Sequence, residues 1–362
     1  MKRIILIGAL VCLALASCSR TKPEPGSAAP ERAQKTVTDI AGRQVTIPAE
    51  VKSIICVNVG ALRFTSYMGA ADLVAGVEQN ESKPNIQKLF NYVNRDVFSR
   101  LPVTGDNGTV FEEEIIKLAP DVILAAVDGE AADKLSEKTG IPVVTIPLID
   151  HVFDGKIYDT LRLMGEVYNR QARAAELAAY LRGLEADLKQ RSAGIAEADK
   201  PSVYVGGVSF RGAHGFEGTE ARYSPFYAIG ADNVADRTGQ SGAFNIDVEE
   251  VLKWDPDIIF LDFNGMALIR EDYERRPEFY KSFSAVKNRR VYSQISFRFN
   301  AVNAEIALAD AYYAGKIIFP ERFADIDPVR KADEIFEMML GAPCYSDLKE
   351  AGYEFREITI GE

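Results

Sequence analysis

Glu113-Glu-Ile-Ile-Lys-Leu-Ala-Pro-Asp-Val-Ile-Leu-Ala125 and Glu249-Glu-Val-Leu-Lys-Trp-Asp-Pro-Asp-Ile-Ile-Phe-Leu261 align without a gap. Each reads as a helix start, two turns with an apolar face, a proline stop and an apolar strand. Pro120 and Pro256 end the helices because a proline pushes the residue before it out of the right-handed helical region. One helix-to-strand unit thus occurs twice, which predicts two lobes of similar build. Around the first copy, short apolar runs predict strands at 53–57, 73–77, 122–126 and 143–146, with helical stretches at 112–118 and 130–138. Around the second, strands are expected at 203–208, 258–261 and 290–292, and helices at 248–254, 304–318 and 328–340. Strands alternating with helices indicate an α/β fold with mainly parallel sheets.

Between the copies lies a Pro-free segment, 154–199, rich in Ala, Leu, Glu, Arg and Lys. Leu161, Met164, Val167, Ala174, Leu177, Leu181, Leu184 and Leu188 keep helical spacing along it. The expectation is one long helix joining an N-terminal lobe, 36–153, to a C-terminal lobe, 200–345, with a polar tail at 346–362. A stiff single connection predicts limited lobe closure. The first lobe opens with Thr36-Val-Thr-Asp-Ile-Ala-Gly-Arg-Gln-Val-Thr-Ile-Pro48, which alternates about a turn and reads as a hairpin.

The N-terminal segment carries an address. Lys2 and Arg3 precede the apolar stretch 4–16, too short to span a bilayer comfortably, so residues 1–17 are expected to be a secretory signal. Leu15-Ala16-Ser17-Cys18 resembles the lipobox of bacterial lipoproteins, which implies a lipid on Cys18 and an envelope location facing away from the cytoplasm. Residues 18–35 are rich in Pro, Ser, Ala and charge and read as a tether. About 16 such residues span roughly 20–25 Å.

The formal net charge of −11 argues against a nucleic-acid binder, which would carry a basic face. Once Cys12 leaves with the signal and Cys18 is lipidated, Cys56 and Cys344 make no disulfide framework. The two histidines, His151 and His214, lie in no metal-ligand spacing, so a bare zinc or manganese ion is not the expected ligand. No Gly-x-Ser-x-Gly elbow, P-loop or His-Glu-x-x-His stretch occurs, and no cofactor motif, so catalysis is not expected.

Over about residues 36–345 the chain resembles the helical-backbone type of periplasmic binding protein, which serves ABC importers of iron chelates, haem and cobalamin. The resemblance rests on the opening Thr36–Val45, both Pro-Asp-plus-strand units, Ala285-Val-Lys-Asn-Arg-Arg-Val-Tyr292 and the interlobe helix. It implies two Rossmann-like lobes, a ligand cleft between them, and a permease dimer with its ATPase as partner. It also implies that one surface Glu per lobe, here Glu113 and Glu249, meets arginines of the two permease subunits. Lys117 and Lys253 four positions on offer a plainer role, helix-surface ion pairing.

Cleft residues are expected on loops at strand ends. The first lobe offers Asn58 and Asn107. The second offers Arg211 and His214 in Ser209-Phe-Arg-Gly-Ala-His-Gly215, then Tyr223, Asn264, Arg298 and Asn300. Arginine beside aromatic rings suits a carboxylate or a macrocycle. An iron chelate is the preferred ligand; a tetrapyrrole or an oxyanion such as molybdate stays open, as does a role in sensing without transport.

Overall fold

The computed structural model describes residues 32–299 and 301–361. The expected signal peptide, Cys18 and most of the tether lie outside them, as does Asn300. The tether is shorter than expected at its far end. Gln34 and Lys35 already belong to β1 (Gln34–Thr38), which pairs antiparallel with β2 (Gln44–Pro48) as the predicted hairpin. Lys35 is tied down by the carbonyls of Glu166 and Val167 and the Asn169 side chain.

The N-lobe sheet comprises β3 (Ile54–Val57), β4 (Val74–Glu78), β5 (Val103–Asp106), β6 (Thr109–Val110), β7 (Val122–Ala125) and β8 (Val143–Thr145), in the order β6-β5-β4-β3-β7-β8. All neighbours are parallel except β5 and β6. The C-lobe sheet is wholly parallel. It orders β11 (Asp232–Asn233), β9 (Ser202–Gly206), β13 (Ile258–Asp262) and β14 (Val291–Gln294). Strands β10 (Gly218–Ala221) and β12 (Gly242–Asn245) form a separate antiparallel pair. The central strands β3, β7 and β13 are buried along their whole length, as expected for strands covered on both faces.

The repeat holds in three dimensions. Helices Glu112–Leu118 and Val248–Trp254 lead into β7 and β13 through left-handed residues, Ala119 (φ 46°) and Asp255 (φ 42°). The aspartate after each proline joins its strand to the neighbouring one. Asp121 accepts the amides of Lys52 and Ser53, and Asp257 accepts the amide and hydroxyl of Ser202. These contacts explain why Pro-Asp recurs at both sites.

Two expectations need correction. The segment 154–199 is not one helix but two, Gly155–Tyr168 and Gln171–Ser192. Asn169 breaks it in the left-handed conformation (φ 57°), which asparagine tolerates at a helix C-terminus, and its side chain holds the Ala49 carbonyl. The helices then pack so closely that a Cβ on Gly165 would lie 2.8 Å from that of Ala174. Only Gln171–Ser192, 22 residues or about 33 Å long, runs between the lobes. Arg173 at its start holds the Tyr67 carbonyl, and Arg191 at its end holds Asp325.

The segment 346–362 is not a free tail. Helix Tyr345–Glu350 is followed by an extended stretch along β14, where Ile358 donates to the Val291 carbonyl and Ser293 to the Arg356 carbonyl. Ile358 and Ile360 are buried there against the lobe's hydrophobic core.

The lobes meet along a buried seam. Arg63, on helix Ala61–Tyr67, donates to Asn303 Oδ1 at 3.0 Å and to the Phe299 carbonyl. One turn on, Tyr67 donates to Glu305, at the start of the almost wholly buried helix Ala304–Ile318.

Candidate functional site

On the N-lobe side, β3, β4 and β5 all end at one edge. β3 gives way to Asn58 (φ 62°) and Gly60 (φ 107°), and β5 turns back through Asn107 (φ 47°) and Gly108 (φ 81°). Left-handed residues here turn each loop sharply, so the side chains gather around a cavity of about 330 Å³. Its lining includes Asn58, Glu78, Asn80, Glu81, Phe90 and Asn107. Glu78, the last residue of β4, accepts the Asn58 amide at 2.8 Å. Burial pushes its carboxyl above the usual range against that amide, and Glu81 and Asp106 add to the rise. Lys88, almost fully buried, pairs with Glu81 at 2.8 Å.

On the C-lobe side a cavity of about 560 Å³ is lined by Ser209, Phe210, Arg211, Asn264, Arg298 and Phe299. Next to the lining residue Asn264, a Cβ on Gly265 would lie 2.3 Å from the Gly207 Cα, so glycine lets the loops after β9 and β13 pass in contact. Asp262 at the end of β13 accepts the Asn264 amide and the Ser296 hydroxyl. The two cavities adjoin. Arg63 lines the first and donates to Phe299, which lines the second, and Gln87 of the N-lobe donates to Asn264 across the boundary.

Of the expected cleft residues, Asn58 and Asn107 thus line the first cavity, and Arg211, Asn264 and Arg298 the second. Arg298 is less available than its sequence context implies. Its guanidinium makes a two-pronged pair with the buried Glu220 and reaches the Asp150 carbonyl, so its charge is already compensated. Two expectations fail. The His214 ring stacks on Phe210 at 3.9 Å with Nε2 2.9 Å from the Phe210 carbonyl, so it braces its own loop. Tyr223 is fully buried between Phe226 and Phe297, a core ring. Asn300 lies outside the described residues.

Sequence reasoning missed Arg63, Glu78, the Glu81–Lys88 pair and Glu220. Glu78 carried one legible signal, a carboxylate directly after an apolar strand. Arg63 and Glu220 are far from their partners in the chain, Asn303 and Arg298, whereas Glu81 and Lys88 are close in sequence but only their burial marks them.

Glu113 and Glu249 occupy equivalent places in the two repeat units, both exposed, and neither forms an ion pair with a described residue. Lys117 pairs with Glu114 instead, at 3.5 Å, and Glu112 pairs with Lys138.

The periplasmic binding protein family profile matches residues 54–294, and the chain belongs to that family, the substrate-binding proteins of ABC transporters. It is 24% identical over 290 residues to an uncharacterized ABC transporter substrate-binding lipoprotein, YvrC, of Bacillus subtilis, covering 78% of this chain and 86% of YvrC. It is 22% identical over 330 residues to the molybdate-binding protein MolA of Haemophilus influenzae, covering 84% and 90%. The molybdate-bound MolA structure superposes with a TM-score of 0.65 at 19% identity, covering 85% of this chain and 98% of that one. The Fe(3+)-citrate-binding protein YfmC of Bacillus subtilis is 22% identical over 295 residues, covering 78% and 85%.

Burial pushes the Asp262 carboxyl up to about 7, with Glu220 adding to the rise and Ser296, Asn264 and Arg298 opposing it. An unfolded aspartate loses its proton near about 3.9. Between those values the unfolded chain binds fewer protons than the folded one, so Asp262 makes stability fall as pH rises from about 4 to about 7. Asp262→Asn should flatten that part of the curve in urea unfolding across this range. Glu220, Glu305 and Asp310 act in the same direction, and Asp262 itself adds to the rise of Asp310, so the variant removes the Asp262 contribution together with that coupling. Parallel curves for variant and wild type would contradict the assignment.

Proposed function

We propose that this substrate-binding protein carries an iron chelate in the interlobe cleft and hands it to an ABC permease dimer driven by its ATPase. The observation that carries the reading is the pair of adjoining cavities, about 330 and 560 Å³, on facing strand-end loops. Sites for small organic ligands occupy about 300–1,000 Å³, and a four-oxygen anion would fill only a corner of this space. The described residues hold no cluster of three or more His, Cys, Asp or Glu able to ligate a metal ion, which favours a metal that arrives inside its own chelator. YfmC, named for ferric citrate, is consistent with this cargo; MolA, named for molybdate, supports the oxyanion alternative. Native mass spectrometry of protein purified from its own host should find an iron complex bound. A molybdate or tungstate adduct in its place would overturn the iron-chelate reading.

Glu113 and Glu249 are proposed to dock the two permease subunits. Matching carboxylates on equivalent helices suit a two-fold partner, since each lobe then offers one charge to one subunit. Reversing both to Lys should abolish uptake in whole cells while ligand affinity stays as in wild type. Normal uptake by the double variant, with ligand binding intact, would remove the docking role.

The motif Leu15–Cys18 is proposed to anchor the protein by a lipid to a membrane of the cell envelope, with the body on its periplasmic or extracytoplasmic face and the Pro- and Ser-rich segment as tether. Wild type should incorporate labelled fatty acid and Cys18→Ser should not. Equal labelling of the two would rule the anchor out.

A further inference from the structure

We infer that the ligand has two poles: hydrogen-bond donors that face Glu78 on the N-lobe wall, and an anionic group that faces Arg211 on the C-lobe wall. This rests on the reading of the cleft as the ligand site, and goes further by naming what each wall recognises.

Glu78 is only 8% exposed, lines the N-lobe cavity, and has one partner, the Asn58 amide on Oε1. The cation close by is spent elsewhere, since Lys88 binds Glu81 and the Asn80 carbonyl, each at 2.8 Å. Arg63, also on this wall, donates to Asn303 and the Phe299 carbonyl, and its field falls on Glu305. Asn80 adds an acceptor, for its Oδ1 is shielded from solvent without a donor. Asp106 and Glu81 deepen the negative field at Glu78, which Lys88 offsets only in part and from a distance, since it forms no ion pair with Glu78. A nearly buried carboxylate without a cation is costly, and metal-bound water, a hydroxyl or an ammonium group would satisfy it.

The C-lobe wall has the opposite sign. Arg298 is neutralised by Glu220, whereas Arg211 is exposed and pairs with no described residue. Its loop is rigid, braced by the Phe210–His214 stack and by the Phe210 amide on the Gly212 carbonyl at 3.1 Å. Ser209, beside it, has a shielded hydroxyl without a partner. Acceptors on one wall therefore face a cation on the other. A simple oxyanion meets only half of this arrangement and is repelled by the rest. A hydroxycarboxylate chelate, with bound water or hydroxyl on one side and carboxylate on the other, meets both.

Isothermal titration of the full folded domain with ferric citrate, ferrioxamine, haemin, cyanocobalamin and sodium molybdate tests this in wild type, Glu78→Gln and Arg211→Gln. Circular dichroism melts confirm that each variant is folded. We expect each substitution to weaken the bound probe by about tenfold or more, the loss of a hydrogen bond to a charged group. If that probe is not an iron chelate but both losses occur, the iron reading fails and the two-pole inference stands. Loss at one wall alone, no loss at either, or no probe bound by wild type would each overturn it.

Discussion

The buried polar seam between the lobes sets the terms for the rest of the molecule. Arg63 and Tyr67 sit one turn apart on an N-lobe helix and reach Asn303 and Glu305 at the start of the C-lobe's most buried helix. Breaking such contacts without replacing them leaves polar groups desolvated and unpaired, which costs about 1–3 kcal/mol for each neutral group and more for a charge. The lobes therefore have a strong preference for one relative placement. The 22-residue helix that joins them, pinned by Arg173 and Arg191, acts in the same direction. Two lobes joined this way resist a change in their relative placement.

The same seam brings the binding surfaces together. Arg63 belongs to the N-lobe cavity, yet its guanidinium ends on the backbone of the C-lobe loop that lines the other. Parallel strands deliver their C-terminal ends to one edge of each sheet, and left-handed turns at Asn58, Asn107 and Arg211 fold the loops back over it. Charge is distributed unequally across the gap. Buried pairs, Glu81 with Lys88 and Glu220 with Arg298, cancel themselves, whereas Glu78 and Arg211 line the two cavities with no ion-pair partner among the described residues.

Periodicity served well wherever a single element explains its own residues. Helices Val248–Trp254, Ala304–Ile318 and Pro328–Leu340 fall where their spacing predicts. It failed at Asn169, because a left-handed asparagine interrupts a helix without disturbing the apolar spacing on either side. It failed again at the C-terminal segment, where two isoleucines among polar neighbours are buried by pairing with β14. At the site, Asn58, Asn107, Arg211, Asn264 and Arg298 were legible as polar residues at strand ends. His214 and Tyr223 share that context, and only the packing shows that the first ring is held by Phe210 of its own loop and the second is buried between Phe226 and Phe297.

What the sequence alone determined is the repeat and its consequence. Two copies of a helix, a Pro-Asp stop and a buried strand point to two like lobes, because the helix, its proline stop and the apolar strand are local properties of each copy. Glu113 and Glu249 follow from the same duplication. Which charges remain free in the cleft was decided by tertiary structure, since Arg298 is cancelled by a residue 78 positions away and Arg63 is directed to one 240 positions away. Compensation between charges depends on distance in space, and linear order carries no record of it.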